Sequence, residues 1–287
     1  MKRLRHLIEA GVVLAFLGLF KLLPLDSASA VGGWVARKVG PLTSADRIAR
    51  RNLKRFMPEM DEATRDATIT ALWDNLGRTI GEYPHLTEIA DTRVEVTGTD
   101  TVSLLREDGA AGILVSGHLA NWELLTIVAG RQGVELTGVY RRPNNPYVDR
   151  IVLGLREPSG GKLVPKGAEG AREILKTMIA KQHLGLLVDQ KMNDGIAVPF
   201  FGSPAMTAPA AAQLALRFKC PLVPVHPIRL KGARFRLEVL PPLPLPDSGD
   251  KVADTLAVMT TINGLLESWI RENPAQWLWI HNRWPKA

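Results

Sequence analysis

The chain has 287 residues, 46% of them apolar, and a net charge of +7. That suits one large α/β domain, or a domain with a small helical appendage. The single cysteine, Cys220, excludes an intramolecular disulfide and a cysteine metal cluster, and its apolar setting reads as an ordinary buried position.

The charge is concentrated at one end. Residues 1–56 hold 11 Lys/Arg against 3 Asp/Glu, and the remaining 231 hold 25 against 26. Basic residues beside an apolar helix suit an anionic membrane surface, at about 1 kcal/mol per cation close to it. Nucleic acid is the rival partner of a basic segment. No basic stripe with interleaved aromatics and no nucleic-acid module is present, so the membrane is favoured and nucleic acid is not expected.

Lys2, Arg3 and Arg5 precede an uncharged apolar run of 11 residues, Ala10–Phe20, flanked by Glu9 and Lys21. A spanning helix needs about 20 apolar residues. Extending the run to Leu7–Leu25 takes in Glu9, Lys21 and Pro24, which leaves a marginal span or a helix lying in the interface. A basic start, a short apolar run and Ala28-Ser29-Ala30 also fit a cleavable secretory signal. Against it, Lys21–Asp26 inserts two charges and a proline. Local features weigh the two equally.

Residues 44–56 read as a helix with Ser44 as its cap and Ile48, Leu53 and Phe56 on an apolar edge. A second helix is expected over Asp61–Ile80, with Ile69, Leu72, Trp73 and Leu76 at helical spacing. From about residue 93 short apolar runs alternate with helical ones. Strands are expected at Val94–Thr97, Ile113–Ser116, Leu136–Tyr140, Leu184–Val188, Leu222–Ile228 and Phe235–Val239. Helices are expected at Glu123–Gln132, Asn145–Leu155, Ala168–Ala180, Ala208–Phe218 and Asp250–Glu272. The alternation predicts an α/β fold with a mixed, largely parallel sheet flanked by helices. No internal repeat and no second core is evident.

Four stretches could carry chemistry. His118 and Glu123 sit five positions apart where the strand Ile113–Ser116 gives way to a helix, the edge at which open α/β sheets place reactive groups. A neutral imidazole there accepts a proton, and a carboxylate on its far nitrogen fixes the tautomer and stabilises the imidazolium. No serine or cysteine nucleophile motif is nearby, so the pair reads as a base acting on a substrate hydroxyl. No zinc-ligand spacing accompanies it, and no metal is expected. Tyr140-Arg141-Arg142-Pro143-Asn144-Asn145-Pro146 follows the next strand. Its arginines suit an anion, most simply phosphate, although a solvated turn explains either one alone. Asp189 closes a strand on the same edge and either bonds His118, meets a substrate hydroxyl or caps a loop. Gln190 follows it, and Phe200 and Phe201 line an acyl channel or pack in the core. Trp277, Trp279 and Trp284 with Arg283 suit either an interfacial belt or a packed cap over the site. Fingerprints for dinucleotides, P-loop nucleotides and serine hydrolases are all absent.

Taken in order, Gly117-His118-x4-Glu123, Tyr140-Arg141…Asn145-Pro146, Asp189-Gln190…Val198-Pro199-Phe200-Phe201-Gly202…Thr207 and Gln276-Trp277-x4-Asn282-Arg283-Trp284 resemble the lipid A biosynthesis acyltransferases. These are the late lauroyl/myristoyl transferases of the lysophospholipid acyltransferase superfamily. The resemblance spans nearly the whole chain. It implies a single glycerol-3-phosphate-acyltransferase-like domain over 31–287, with residues 1–30 an uncleaved membrane-anchoring helix and the domain on the cytoplasmic face of the bacterial inner membrane. It implies His118 as general base and Glu123 as its orienting carboxylate. Acyl carrier protein would bring the chain as a thioester co-substrate, with no cofactor. The acceptor would be a hydroxyl of a Kdo-bearing lipid A precursor. Arg141, Arg142, Asn145, Asp189, Gln190 and Arg283 are then substrate-binding candidates, and Trp122, Phe200 and Phe201 acyl-channel candidates. Rival readings are an acyltransferase acting on a phosphatidylinositol mannoside or a lysophospholipid, a non-catalytic lipid-binding protein, and a metal-dependent hydrolase.

Overall fold

A computed structural model describes residues 2–156 and 161–284. Its centre is a seven-stranded sheet in the order β1-β9-β8-β2-β5-β3-β4. The strands are β1 (Val94–Thr97), β2 (Ile113–Ser116), β3 (Leu136–Tyr140), β4 (Gly161–Pro165), β5 (His183–Leu187), β8 (Leu222–Arg229) and β9 (Phe235–Val239). All neighbours run parallel except β8 and β9. β6 (Lys191–Phe200) and β7 (Ser203–Thr207) form a separate antiparallel hairpin. The mixed, largely parallel sheet expected from the alternation is therefore present, joined by β4 and by the hairpin, which the apolar pattern did not reveal.

Helices cover both faces. On one, Ile113 and Val115 of β2 share a core with Met259, Ile262 and Leu266 of α11 (Lys251–Glu272). On the other, Leu136 of β3 and Val225 of β8 pack with Ile127 and Val128 of α7 (Leu124–Arg131) and Ile89 of α5 (Leu86–Thr92). Successive strand residues point to opposite faces, and the two cores follow from that alternation.

The N-terminal third is helical. It comprises α1 (Lys2–Leu22), α2 (Leu25–Val39), α3 (Ser44–Phe56) and α4 (Glu62–Glu82). α2 and α4 pack at backbone contact. A Cβ on Gly32 would lie 2.3 Å from the Gly77 carbonyl oxygen, so only glycine permits the approach. The boundary expected at residue 30 falls inside α2. α1 docks on the rest of the chain: Lys21 Nζ donates to Pro84 O, the His85 imidazole bonds Phe20 O, and Asn145 Nδ2 donates to His6 O and Glu9 Oε2.

Among the described residues no helix is long and apolar enough to cross a membrane. A spanning anchor is therefore not borne out. α1 reaches the length of a span, but Arg3, Arg5, Glu9 and Lys21 are spread along it.

Candidate active site

The parallel register assembles the site. β2 pairs with β5 so that Ile113 faces Leu184 and Ser116 faces Leu187, a constant offset of 71 residues. Two residues past each strand end, the same offset brings His118 opposite Asp189. The Asp189 carboxylate accepts from the His118 backbone N–H at 2.8 Å and meets the His118 ring Nδ1 at 2.7 Å. A third bond comes from the Trp277 indole N–H at 2.8 Å. Gly117 makes room, since a Cβ there would meet Leu266 at 3.0 Å and the Asp189 carboxylate at 3.4 Å.

Asp189 is fully buried. Burial alone would raise its carboxyl, but the charge and hydrogen bonds of His118, with the charge of His281, outweigh that and hold it well below the usual carboxylate range. An ionised Asp189 requires the proton on His118 Nδ1. Nε2 is then a lone pair, and the Gln190 side-chain amide donates to it at 3.2 Å. Sequence left Asp189 between three roles, and the geometry gives it the imidazole. The carboxylate on Nδ1 is Asp189. Glu123, the carboxylate expected to orient the imidazole, accepts on Oε1 from the Tyr83 hydroxyl at 2.6 Å and the Trp122 indole at 3.0 Å.

The loop between His118 and Glu123 is held from beneath. Ala120 has φ of +49°, a left-handed conformation costly for a residue with a Cβ. Its N–H donates to Gln276 O, and its carbonyl accepts from Asn75 Nδ2 and Thr79 Oγ1. Buried Asn121 donates to Glu82 Oε2 at 2.8 Å and accepts from the Glu123 N–H at 3.3 Å. Glu82 is itself buried and paired with Arg229 through both oxygens. Single-sequence reading had no signal for this support, because its members are scattered from residue 75 to residue 276.

His118 and Glu123 open on a cavity of about 940 Å³, also lined by Trp122, Arg141 and Gln190. Its walls include Leu114, Leu136 and Leu237 of the sheet and Leu125 and Val128 of α7. That volume is at the upper end of the ~300–1,000 Å³ of small-molecule sites, and the wall is predominantly apolar. Trp122 is thus on the cavity, as expected of an acyl-channel residue.

Phe200 and Phe201 are not. Both pack with Trp277, Trp279 and Trp284 in the core. Phe201 and Gly202 have φ of +50° and +68° and form the two-residue turn of the β6–β7 hairpin, which turns these rings onto the tryptophans. Of the two readings of the C-terminal tryptophans, the packed cap is the one observed. Arg283 is fully buried there, donating to Met206 O at 2.7 Å and Thr207 Oγ1 at 2.6 Å, away from the cavity. Asn145 is also committed elsewhere. Its side-chain Oδ1 accepts the Tyr147 and Val148 N–H groups that open α8 (Pro146–Arg156), and its Nδ2 holds α1. Arg142 is exposed and lies 3.4 Å from Asp149. Among the described residues no three His, Cys, Asp or Glu side chains form a metal-binding group.

The profile of the bacterial lipid A biosynthesis acyltransferases matches residues 1–286. The chain belongs to that family. It is 28% identical over 249 residues to the lipid A biosynthesis lauroyltransferase of Escherichia coli, covering 83% of this chain and 78% of the relative. It is 24% identical over 260 residues to a lipid A biosynthesis acyltransferase of Haemophilus influenzae, covering 88% and 81%. It is 21% identical over 276 residues to lipid A biosynthesis acyltransferase 2 of Shigella flexneri, covering 93% and 87%. The protein is an acyltransferase of lipid A biosynthesis, and the resemblance read from its ordered motifs holds over the whole chain.

Proposed function

We propose that this acyltransferase moves a fatty acyl chain from an acyl carrier protein thioester to a hydroxyl of a Kdo-bearing lipid A precursor. The observation that carries the reading is His118, its Nδ1 on the buried Asp189 carboxylate and its ring opening on an apolar cavity of about 940 Å³. Nε2 takes the proton of the acceptor hydroxyl as its oxygen attacks the thioester carbonyl. The tetrahedral intermediate collapses with loss of the thiolate, which recovers that proton from the imidazolium. Asp189 stabilises the imidazolium in between. General base catalysis of this kind contributes roughly 10²–10⁴-fold. Glu123, fixed by Tyr83 and Trp122, adds a second carboxylate at the same cavity and shares in stabilising the cation. No cofactor is needed.

α1 supports a place at the membrane surface. Leu4, Ile8, Val12, Leu19 and Leu22 are exposed and recur on one side of the helix, and Trp34 and Leu42 add exposed apolar area nearby. An amphipathic helix of this kind lies in the headgroup boundary instead of spanning it. On this reading the helix faces the cytoplasmic leaflet of the inner membrane.

The test is transfer by purified protein from carrier protein loaded with C12, C14 and C16 chains to the Kdo-bearing precursor, with His118→Ala alongside. Transfer by the wild type alone supports the assignment. Transfer retained by His118→Ala, or transfer only to a different glycolipid or a lysophospholipid, overturns the base or the acceptor respectively.

A further inference from the structure

Four consecutive residues at the end of α4 touch the N-terminal helices on one side and the active loop on the other. Glu82 accepts from the Ser29 hydroxyl of α2 at 2.7 Å and from Asn121 Nδ2 at 2.8 Å. Tyr83 donates its hydroxyl to Glu123 Oε1 at 2.6 Å. The Pro84 carbonyl accepts from Lys21 Nζ, and the buried His85 ring bonds the Phe20 carbonyl, both at 3.0 Å. Tyr83–His85 form a single 3-10 turn with α4 before it and α5 after it, so the four residues share one short stretch of regular backbone. Phe20 is 4% exposed and meets α4 as well: a Cβ on Gly81 would lie 2.9 Å from its ring and 2.5 Å from the Ala28 carbonyl oxygen. The stretch that seats α1 and α2 is therefore also the one that holds the loop from His118 to Glu123.

Tyr83 is the member that reaches the chemistry. It lines the cavity together with His118, Trp122 and Glu123. Its hydroxyl and the Trp122 indole converge on one oxygen of Glu123, and hydrogen bonds to an ionised acceptor are about twice as strong as neutral ones. The carboxylate beside His118 is thus set in place by a side chain from the N-terminal helical third. We propose that Tyr83 is a positioning residue for acyl transfer, and that the stretch Glu82–His85 carries the seat of α1 to the Glu123 carboxylate. The consequence for the rate rests on the acyl-transfer reading above, whereas the mechanical link rests on these contacts.

The test uses the full chain with Tyr83→Phe, Glu123→Ala, Phe20→Ala and the milder Phe20→Leu, and with each Tyr83 and Phe20 change combined with Glu123→Ala. Two quantities are read: kcat and KM for transfer from a carrier-bound thioester, and the free energy of urea unfolding. Tyr83→Phe removes a single oxygen. It is expected to lower kcat about tenfold to a hundredfold, the worth of one hydrogen bond to a charged group, with donor KM unchanged. In the Glu123→Ala background the same change is expected to cost nothing further, because Tyr83 acts through Glu123. Wild-type kcat in Tyr83→Phe, or an equal loss in the absence of Glu123, overturns the positioning role. Phe20 meets the stretch at His85 and Glu123 meets it at Tyr83, so any coupling between the two passes through it. Phe20→Ala, or Phe20→Leu if the alanine variant does not fold, is expected to lower kcat and to combine non-additively with Glu123→Ala in unfolding. Additive unfolding free energies, or a Phe20 variant with wild-type kcat, overturn the link to α1. A wild type that transfers no acyl chain sinks the acyl-transfer reading, and the link then stands or falls on the unfolding cycle alone.

Discussion

Asp189 accepts three hydrogen bonds, from the His118 backbone, the His118 ring and the Trp277 indole, and it has no exposed surface. These bonds use both oxygens, so together they require a group with two acceptor atoms, which a carboxylate has and an amide has not. Asp189→Asn keeps the shape but puts an N–H where an acceptor is required. The imidazole then turns to its other tautomer, and Nε2 carries the proton that it should receive. The expected result is a fall in kcat of roughly 10²–10⁴-fold with KM for the acceptor little changed. Raising the pH should not restore the rate, because the defect is one of tautomer and not of protonation level. An Asp189→Asn enzyme with near-normal kcat would remove Asp189 from the mechanism.

Gln190 occupies the position on Nε2 where an acceptor hydroxyl must bind, at 3.2 Å. On the proposed mechanism the acceptor hydroxyl displaces this amide and frees its N–H to meet the oxygen that gains charge. A side-chain amide aimed at a developing oxyanion contributes ~10²–10³ in kcat. Gln190→Ala is expected to lose on that scale in kcat while binding of acyl donor is retained. Gln190→Glu, which offers no donor at neutral pH, should do no better. A Gln190→Ala change confined to KM would reduce the residue to a substrate contact.

How much of this was legible follows from where each signal lies in the chain. The strand–helix alternation and the His118 and Glu123 pair are local and were read directly. The pairing of His118 with Asp189 depends on which strands are neighbours: β2 and β5 adjoin in the sheet although β3 and β4 lie between them in sequence. One sequence does not display that order, so the nearer carboxylate, Glu123, took the role. Arg283, Phe200 and Phe201 sit within family motifs, and motif membership does not distinguish a ligand contact from a buried strut. The hairpin turn at Phe201-Gly202 decides it, by directing those side chains to the tryptophans. The resemblance implied an anchor over residues 1–30, whereas Arg5, Glu9 and Lys21 are spread along α1 and leave it short of an apolar span.

The support beneath the His118–Glu123 loop makes a prediction about stability. Asn121→Ala removes one of the two partners of Glu82 Oε2, which keeps Arg229, and the acceptor of the Glu123 N–H in a buried region. Leaving buried polar groups unpaired costs about 1–3 kcal/mol. A fall in the denaturation midpoint is expected, visible by thermal or urea unfolding. Ala120→Gly should be tolerated, since φ of +49° suits glycine, whereas Ala120→Val should be strongly destabilising. Equal midpoints for the glycine and valine variants would contradict the strain assigned to this residue.

His226 gives a pH dependence that is independent of catalysis. It is buried, stacks on Trp269 at 4.5 Å, and lies 3.5 Å from Glu238. Burial pushes its pKa down to about 4. In the unfolded chain it titrates near 6.5, so the unfolded state binds the extra proton as pH falls from about 6.5 to about 4. Stability is fully present above that window and declines through it, by at most about 3 kcal/mol. His226→Phe keeps the aromatic stack and should flatten this part of the stability–pH curve. An unaltered curve would move the acid sensitivity to another group.

Arg283 separates a structural from a substrate-binding role. Burial lowers its guanidinium pKa to about 10, and its bonds run to Met206 O and Thr207 Oγ1, pinning the β6–β7 hairpin against the tryptophan cluster. Arg283→Ala leaves these acceptors unpaired and opens a void over Phe200, which its guanidinium covers at 5.3 Å. A cost of about 3 kcal/mol or more is expected, read as a large loss of thermal stability. Arg283→Lys should recover part of it through one bond. For whichever variant remains folded, the KM for acceptor should equal that of the wild type, because the side chain lies away from the cavity. A raised acceptor KM in a variant of wild-type stability would return Arg283 to the binding site.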